Sequence, residues 1–436
     1  MHHYRNPGGA AARVARSVWR ALGRVAAPLA TLLAMTACSA LPLPGRIAQP
    51  TPPVPLDLPS ATQAKLRDFD LAVKSLREQY IDSRAIDEAW LAEAAAFRRR
   101  ILEGAADETF APDLERLLEK LNDPAIVLRA PTPDMAASSA ATTTFSGIGV
   151  LVALPERGKD RLVVLAVYAG SPAERGGVRP HDSILAVDGR RITYEERQTV
   201  IGRIRGPTGT TVTLTLRSPN QPEREVTLRR APITPTSRTV VERVPGTNIG
   251  YLAPAPGDAE SMHIELARGL RALASDKTPD GVILDLRIVR EDSFPILPML
   301  SLFANGALGA RHTRSGQQKI EVRGKQIAGS QDLSLVILIG DQTQGPAVSF
   351  AAMLQDLGRA KLVGAHTSPQ TAEVTVLSLP ETELQLAIPS AEYRGIKGRA
   401  LHRTGLAPDE DTGLAWEMFS ADDDPQMKRA IALLKR

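Results

Sequence analysis

The sequence predicts a mixed α+β protein: an N-terminal helical segment, a β-rich domain, and an α/β core that runs to the C-terminus. Three observations predict it. Apolar residues recur at helical spacing between residues 62 and 121. From Phe145 the pattern changes to short β-rich runs separated by turn residues. From Ile249 apolar strands alternate with helical stretches, the order that builds a parallel or mixed sheet covered on both faces. The 436 residues suffice for two or three domains. With 43% hydrophobic and 23% charged residues, the composition excludes whole-chain disorder and a polytopic membrane protein. Five arginines in residues 1–37, where no acid occurs, account for the formal charge of +4; the rest sets 48 basic against 49 acidic side chains. A neutral body gives no electrostatic footprint for nucleic acid. A single cysteine excludes a disulfide framework and a cysteine-rich zinc module.

Residues 1–37 are basic and end in a short apolar run, Val25 to Ala37. A helix needs about 20 residues to span a bilayer, so this run reads as a secretory signal. It stops at the sole cysteine, in Met35-Thr36-Ala37-Cys38, and so resembles a bacterial lipoprotein box. That resemblance implies a lipid on Cys38 and a periplasm-facing place in the cell envelope. Ser39, where inner-membrane retention would use aspartate, implies the outer membrane. The alternative is an ordinary cleaved signal beside an incidental cysteine. Residues 38–60 are proline-rich and almost uncharged, a semi-extended spacer.

In the helical segment, 61–144, one stripe runs through Leu66, Phe69, Val73, Leu76 and Tyr80. A second carries Trp90, Ala94, Phe97 and Ile101, and a third Leu114, Leu117, Leu118 and Leu121, stopped by Asn122-Asp123-Pro124. Its expected role is packing. Residues 145–231 hold five β-rich runs with two short helical stretches, SPAERGG and EERQTVIGRIRG. Residues 232–436 form the third part. Its expected elements are a helix from Ser261 to Leu273, strands Gly281–Leu286 and Leu333–Ile339, a helix from Pro346 to Leu357, the strand AKLVGA, and β-rich sequence to Ile388.

The strings FSGIGVLV, AGSPAERGGVRPHDSILAVDG and IRGPTGTTVTLTLR resemble a PDZ domain of the kind found in carboxyl-terminal processing (tail-specific) serine peptidases. In Gly147-Ile148-Gly149-Val150 the glycines can free successive N–H groups to hold a terminal carboxylate, while Ile148 and Val150 suit an apolar terminal side chain. Packing alone is the competing role for this domain. The flanks resemble the same family. Leu121-Asn-Asp-Pro124 is similar to its Leu-Gly-Asp-Pro, Thr404-Gly-Leu-Ala-Pro-Asp409 to its Gly-Ile-x-Pro-Asp, and Asp424-Pro-Gln426 to the start of its last helix. The resemblance implies an α/β peptidase core of the crotonase-like superfamily and protein or peptide C-termini as partners. No histidine pair stands at metal spacing and no phosphate loop is visible, so no metal or cofactor is expected.

The reaction does not carry over. Active members have Asp-Leu-Arg-Asn-Asn-Pro-Gly-Gly, whose glycine amide serves the oxyanion hole. Here Asp285-Leu286-Arg287 is kept, and Glu291 and Asp292 replace the glycines. The family's nucleophilic serine falls on Gly345, between the matching strand Leu335–Ile339 and the matching helix end Leu354–Ala360. Counted from Val363-Gly364, its lysine base falls on Gln370 and the supporting glutamine on Val374. A serine–lysine mechanism needs a hydroxyl, a neutral amine and oxyanion donors, and a carboxamide is no base at neutral pH. Ser349, one turn along at about 6 Å, could substitute only with His366 as base and Asp356 as orienter. Lys361 and Lys397 offer no base. The expectation is an envelope lipoprotein that binds chain ends without cleaving them. The alternatives are an active peptidase using a displaced serine and a structural lipoprotein that binds no peptide; the sequence sets no oligomeric state.

Overall fold

The computed structural model describes residues 53–435 except 56, 105, 130–143, 156–157, 198, 235–237, 257–258, 260 and 291–292. The lipidation candidate Cys38 and the acids Glu291 and Asp292 lie outside the described residues. The architecture is mixed α+β, with a helical N-terminal segment, a β-rich PDZ domain and an α/β core.

The apolar runs Gly281–Asp285 and Ser334–Ile339 are buried along nearly their whole length because helices cover both faces of their sheet. That sheet has six strands in chain order: Val240–Arg243, Ile249–Ala253, Gly281–Asp285, Ser334–Ile339, Lys361–Gly364 and Glu410–Asp411. The first pairs antiparallel and every later neighbour parallel. Alternate side chains sort to opposite faces. Leu252, Leu284, Ile337 and Leu362 meet the helices Met262–Leu273, Ile296–Phe303 and Pro346–Asp356. Ile283, Val336, Leu338 and Val363 meet Ala430, Met427 and Ile431 of the helix Pro425–Leu434. Asp285, Ile339 and Gly364 therefore end side by side, the place where parallel α/β sheets hold ligands.

A second sheet is built on the long strand Leu384–Gly395. Glu373–Leu379 pairs on it, as do Gly306–Thr313, with its hairpin partner Gly316–Val322, and Val127–Arg129. The last of these belongs by sequence to the helical segment, which is therefore stitched into the core sheet. Its helices Ser60–Gln79, Glu88–Leu102 and Asp107–Glu119 bury Leu66, Phe69, Phe97 and Leu114 together with Leu379, Leu386 and Ile388 of that sheet. Asp87 caps the second helix, accepting from the Trp90 N–H at 2.8 Å.

The PDZ domain's main sheet runs Val150–Ala153, Leu162–Val167, Ser183–Val187, Thr211–Arg217 and Glu223–Arg229, all antiparallel. In Thr211–Arg217 the inward residues are Val212, Leu214 and Leu216. Phe145–Gly147 pairs with Ala231–Ile233, joining the domain's two ends. Val150–Ala153 is the outermost strand, so one edge of it is unpaired among the described residues.

Candidate functional site

Three loops leave the adjacent strand ends Asp285, Ile339 and Gly364, and hydrogen bonds lace them together. Buried Thr343 accepts from the Gly340 N–H at 2.9 Å and donates to the Leu286 carbonyl at 2.9 Å. The Gln344 N–H donates to the Val289 carbonyl at 3.0 Å, and the Gly345 N–H to the Gln370 carbonyl at 2.6 Å. This lacing sets the start of the helix Pro346–Asp356 against the loop carrying Gln370. Gly345, Gln370 and Val374 consequently face one cavity of about 50 Å³, walled by Ala125, Val127 and Ala387. Counting along the chain had placed the nucleophile, base and supporting positions on those three residues, and the fold brings all three together.

The chemistry there is poor. Gly345 takes φ +63° and ψ −153°, a region kept almost entirely for glycine. Pro346, the first helical residue, has no N–H to offer an oxyanion. The Gln370 side chain donates to the Pro124 carbonyl at 2.9 Å. Ser349 lies fully buried in the helix, and its Oγ has no hydrogen-bond partner among the described residues. Neither proposed companion reaches it. Asp356 accepts from Arg399 at 2.6 Å, and His366 is exposed with Nδ1 3.2 Å from the Thr367 carbonyl. Lys361 and Lys397 stand near Asp409 and Asp356, at 3.7 and 3.9 Å.

The retained Asp285-Leu286-Arg287 holds the framework. The Arg287 guanidinium, only 5% exposed, meets Asp285 and Asp424 at 2.6 Å each and the Gln426 side-chain oxygen at 3.0 Å. Burial would raise the Asp285 carboxyl, but Arg287 overrides it and keeps it below the usual carboxylate range. Breaking such a buried cluster at one member typically costs about 3–5 kcal/mol.

The PDZ residues lie around a second cavity, of about 220 Å³, between the edge strand Val150–Ala153 and the short helix Val200–Ile204. Gly147, Ile148, Gly149 and Val150 all line it, and Val152, Ile201 and Ile204 make its apolar sides. Ile148 is nearly buried and forms the floor. Its carbonyl accepts from Ala173 and that of Gly149 from Tyr168, which fixes the loop. The N–H groups of Ile148 and Gly149 donate to nothing among the described residues. Arg205 also lines the cavity, its guanidinium 5.0 Å from the centre of the Phe145 ring. Arg205 carries no signal of its own in the sequence; its place follows from the short helix ending at Ile204.

The joint between the PDZ domain and the core likewise leaves no mark in the sequence. His181 stacks on Trp416 with ring centres 4.0 Å apart, and its Nδ1–H donates to the Trp416 carbonyl at 2.6 Å. Trp416 Nε1 donates to the Val164 carbonyl at 3.1 Å, and Arg161 pairs with Glu417. Arg287 lies 5.2 Å from the Trp416 ring centre on its core side.

Residues 163–218 match the PDZ domain family, and residues 248–412 match peptidase family S41. The carboxyl-terminal-processing protease of Synechocystis is 27% identical over 371 residues, covering 82% of this chain and 84% of that protein. The carboxyl-terminal-processing protease of Picosynechococcus is 28% identical over 384 residues, covering 84% of this chain and 89% of that one. Among solved structures, the photosystem II D1 C-terminal processing protease has the same fold. Its TM-score is 0.60 at 20% identity, over 84% of this chain and 95% of that one.

Proposed function

This chain belongs to the PDZ-bearing carboxyl-terminal-processing peptidases of family S41, and from that premise we propose that it binds the chain ends of other proteins without cleaving them. One observation carries the reading: Gly345 stands where attack must begin, and Pro346 follows it, so the helix start offers neither a hydroxyl nor the first N–H. The PDZ groove supports the binding half. A peptide added along the Val150–Ala153 edge would place its carboxylate at the Ile148 and Gly149 amides, beside Arg205, and its terminal side chain among Val150, Ile201 and Ile204. The relatives' names speak for an active protease; in this chain that activity would have to come from Ser349, which is sealed in the core.

Digestion of β-casein and of fluorogenic peptides by the purified chain tests the first half; the expected result is no hydrolysis above background. Hydrolysis that Ser349→Ala abolishes would establish the displaced-serine enzyme instead. For the second half, amidating the C-terminus of a bound peptide should weaken it about ten-fold or more, the worth of a charge-assisted hydrogen bond. Equal affinity of acid and amide would leave the PDZ domain as a packing unit. The location proposed is the periplasmic face of the outer membrane, held by a lipid on Cys38. Palmitate labelling in cells should vanish in Cys38→Ala; labelling that persists rejects the anchor.

A further inference from the structure

The cavity at Gly345 has two polar side chains on its wall, Arg129 and Gln344, that make no hydrogen bond or ion pair among the described residues. Among the described residues Arg129 is its one charged lining residue, and no acid lines it. The rest of the wall is small and apolar, as at Ala125, Ala372 and Val374. The Arg129 guanidinium and the Gln344 carboxamide carry N–H donors that suit a carboxylate, and no acid among the described residues lines the cavity to fill it. At about 50 Å³ the space admits a carboxyl group with little more than a methyl beside it. Arg129 ends the strand Val127–Arg129, which is outermost in its sheet and leaves an edge unpaired among the described residues. An extended segment laid along that edge would bring its end to the cavity.

We infer that the emptied catalytic position is a second carboxylate-binding site, held by Arg129 and Gln344, that takes the C-terminus of a chain ending in a small residue such as alanine. Gly345 lines the same space and, having no side chain, takes up none of it. The inference rests on the non-cleaving reading only in requiring that the bound chain end stay intact.

The test is NMR of the full chain labelled with nitrogen-15 at glutamine, titrated with tri-alanine, tri-alanine amide and acetate. Tri-alanine should shift the side-chain amides of Gln344 and Gln370 saturably, and Arg129→Gln should weaken that binding at least about ten-fold with the spectrum otherwise kept. Val374→Phe fills the cavity from a partly exposed strand and should abolish the shifts, giving a second readout should Arg129→Gln disturb folding. Acetate binding as tightly as tri-alanine keeps the carboxylate site and assigns it to a free small acid. Equal binding of the amide, or shifts at PDZ glutamines with none at Gln344 and Gln370, overturns the inference. Release of free alanine during the titration would instead sink the non-cleaving reading, so the two failures are distinguishable.

Discussion

Gly149 takes φ +84°, and a Cβ built there overlaps the Cβ of Ser171, whose hydroxyl caps the short helix Pro172–Arg175. Gly149→Ala must bear a left-handed backbone, of order 1–3 kcal/mol, and displace that cap as well. We expect the PDZ domain to melt several degrees lower and to lose affinity for C-terminal peptides. Calorimetry with a peptide titration checks this; unchanged melting and binding would mean that the loop reshapes freely. Residues of this kind were legible because the glycine spacing of the loop is local. Gly345, Gln370 and Val374 were legible for another reason: matched strings on either side fixed the count to them, and the cavity holds all three. Arg129, Gln344 and Arg205 were not, because each reaches its cavity where elements distant in sequence cross, and no periodicity marks such a crossing. Ser349 could be weighed in advance, since Pro346-Ala-Val-Ser-Phe-Ala-Ala-Met-Leu354 is apolar on every side and leaves a hydroxyl nowhere to go but inward.

At the scale of elements, the start of the helix Pro346–Asp356 decides whether a serine and a lysine placed there could work. Gly345→Ser together with Gln370→Lys would supply a nucleophile and an amine. The serine must adopt φ +63° and ψ −153°, Pro346 still has no N–H, and Gln370 loses its bond to the Pro124 carbonyl. Loss of one oxyanion donor alone costs a serine protease about a hundred- to a thousand-fold in turnover. The double variant should therefore leave casein intact over hours, and rapid digestion would mean that a donor other than the Pro346 position serves the oxyanion. The parallel strands Gly281–Asp285 and Ser334–Ile339 were readable because burial on both faces writes a continuous apolar run. The strand Val127–Arg129 was not, being three half-buried residues with no alternation to mark it. The hairpin Gly306–Val322 escaped for a related reason: Gly316–Lys319 is exposed and polar, so half of its second strand reads as loop. The helix Ile296–Phe303 is apolar nearly throughout, which hides its period.

For the whole molecule, the question is what holds the PDZ domain against the core. The joint is His181 on Trp416, flanked by Arg161 with Glu417, and Arg287 behind Trp416 ties it to the strand end at Asp285. The joint was not legible in the sequence, since 235 positions separate the two rings and nothing in the PDZ-like string that carries His181 points to Trp416. His181 is pushed below its ordinary value of 6.5, chiefly by burial. Its bond to the Trp416 carbonyl and the nearby Asp424 and Asp285 favour the proton, while Arg287 opposes it. The docked state therefore disfavours a protonated His181, whereas an undocked one takes up a proton near 6.5. Docking should be at full strength above that pH and weaken as pH falls below it, down through the lowered value. Glu417 acts later. Burial would raise it, but the hydrogen bond from Arg161 keeps it below its ordinary 4.5, so its contribution persists until stronger acid. Hydrogen exchange of residues 414–419, measured above and well below pH 6.5, should therefore accelerate on the acid side beyond the intrinsic pH trend. His181→Phe keeps the stacked ring and removes the titrating group; it should flatten that extra pH dependence, while Trp416→Ala should speed exchange at every pH. If the acceleration survives in His181→Phe, the acid sensitivity belongs to another group and His181 is only a packing ring.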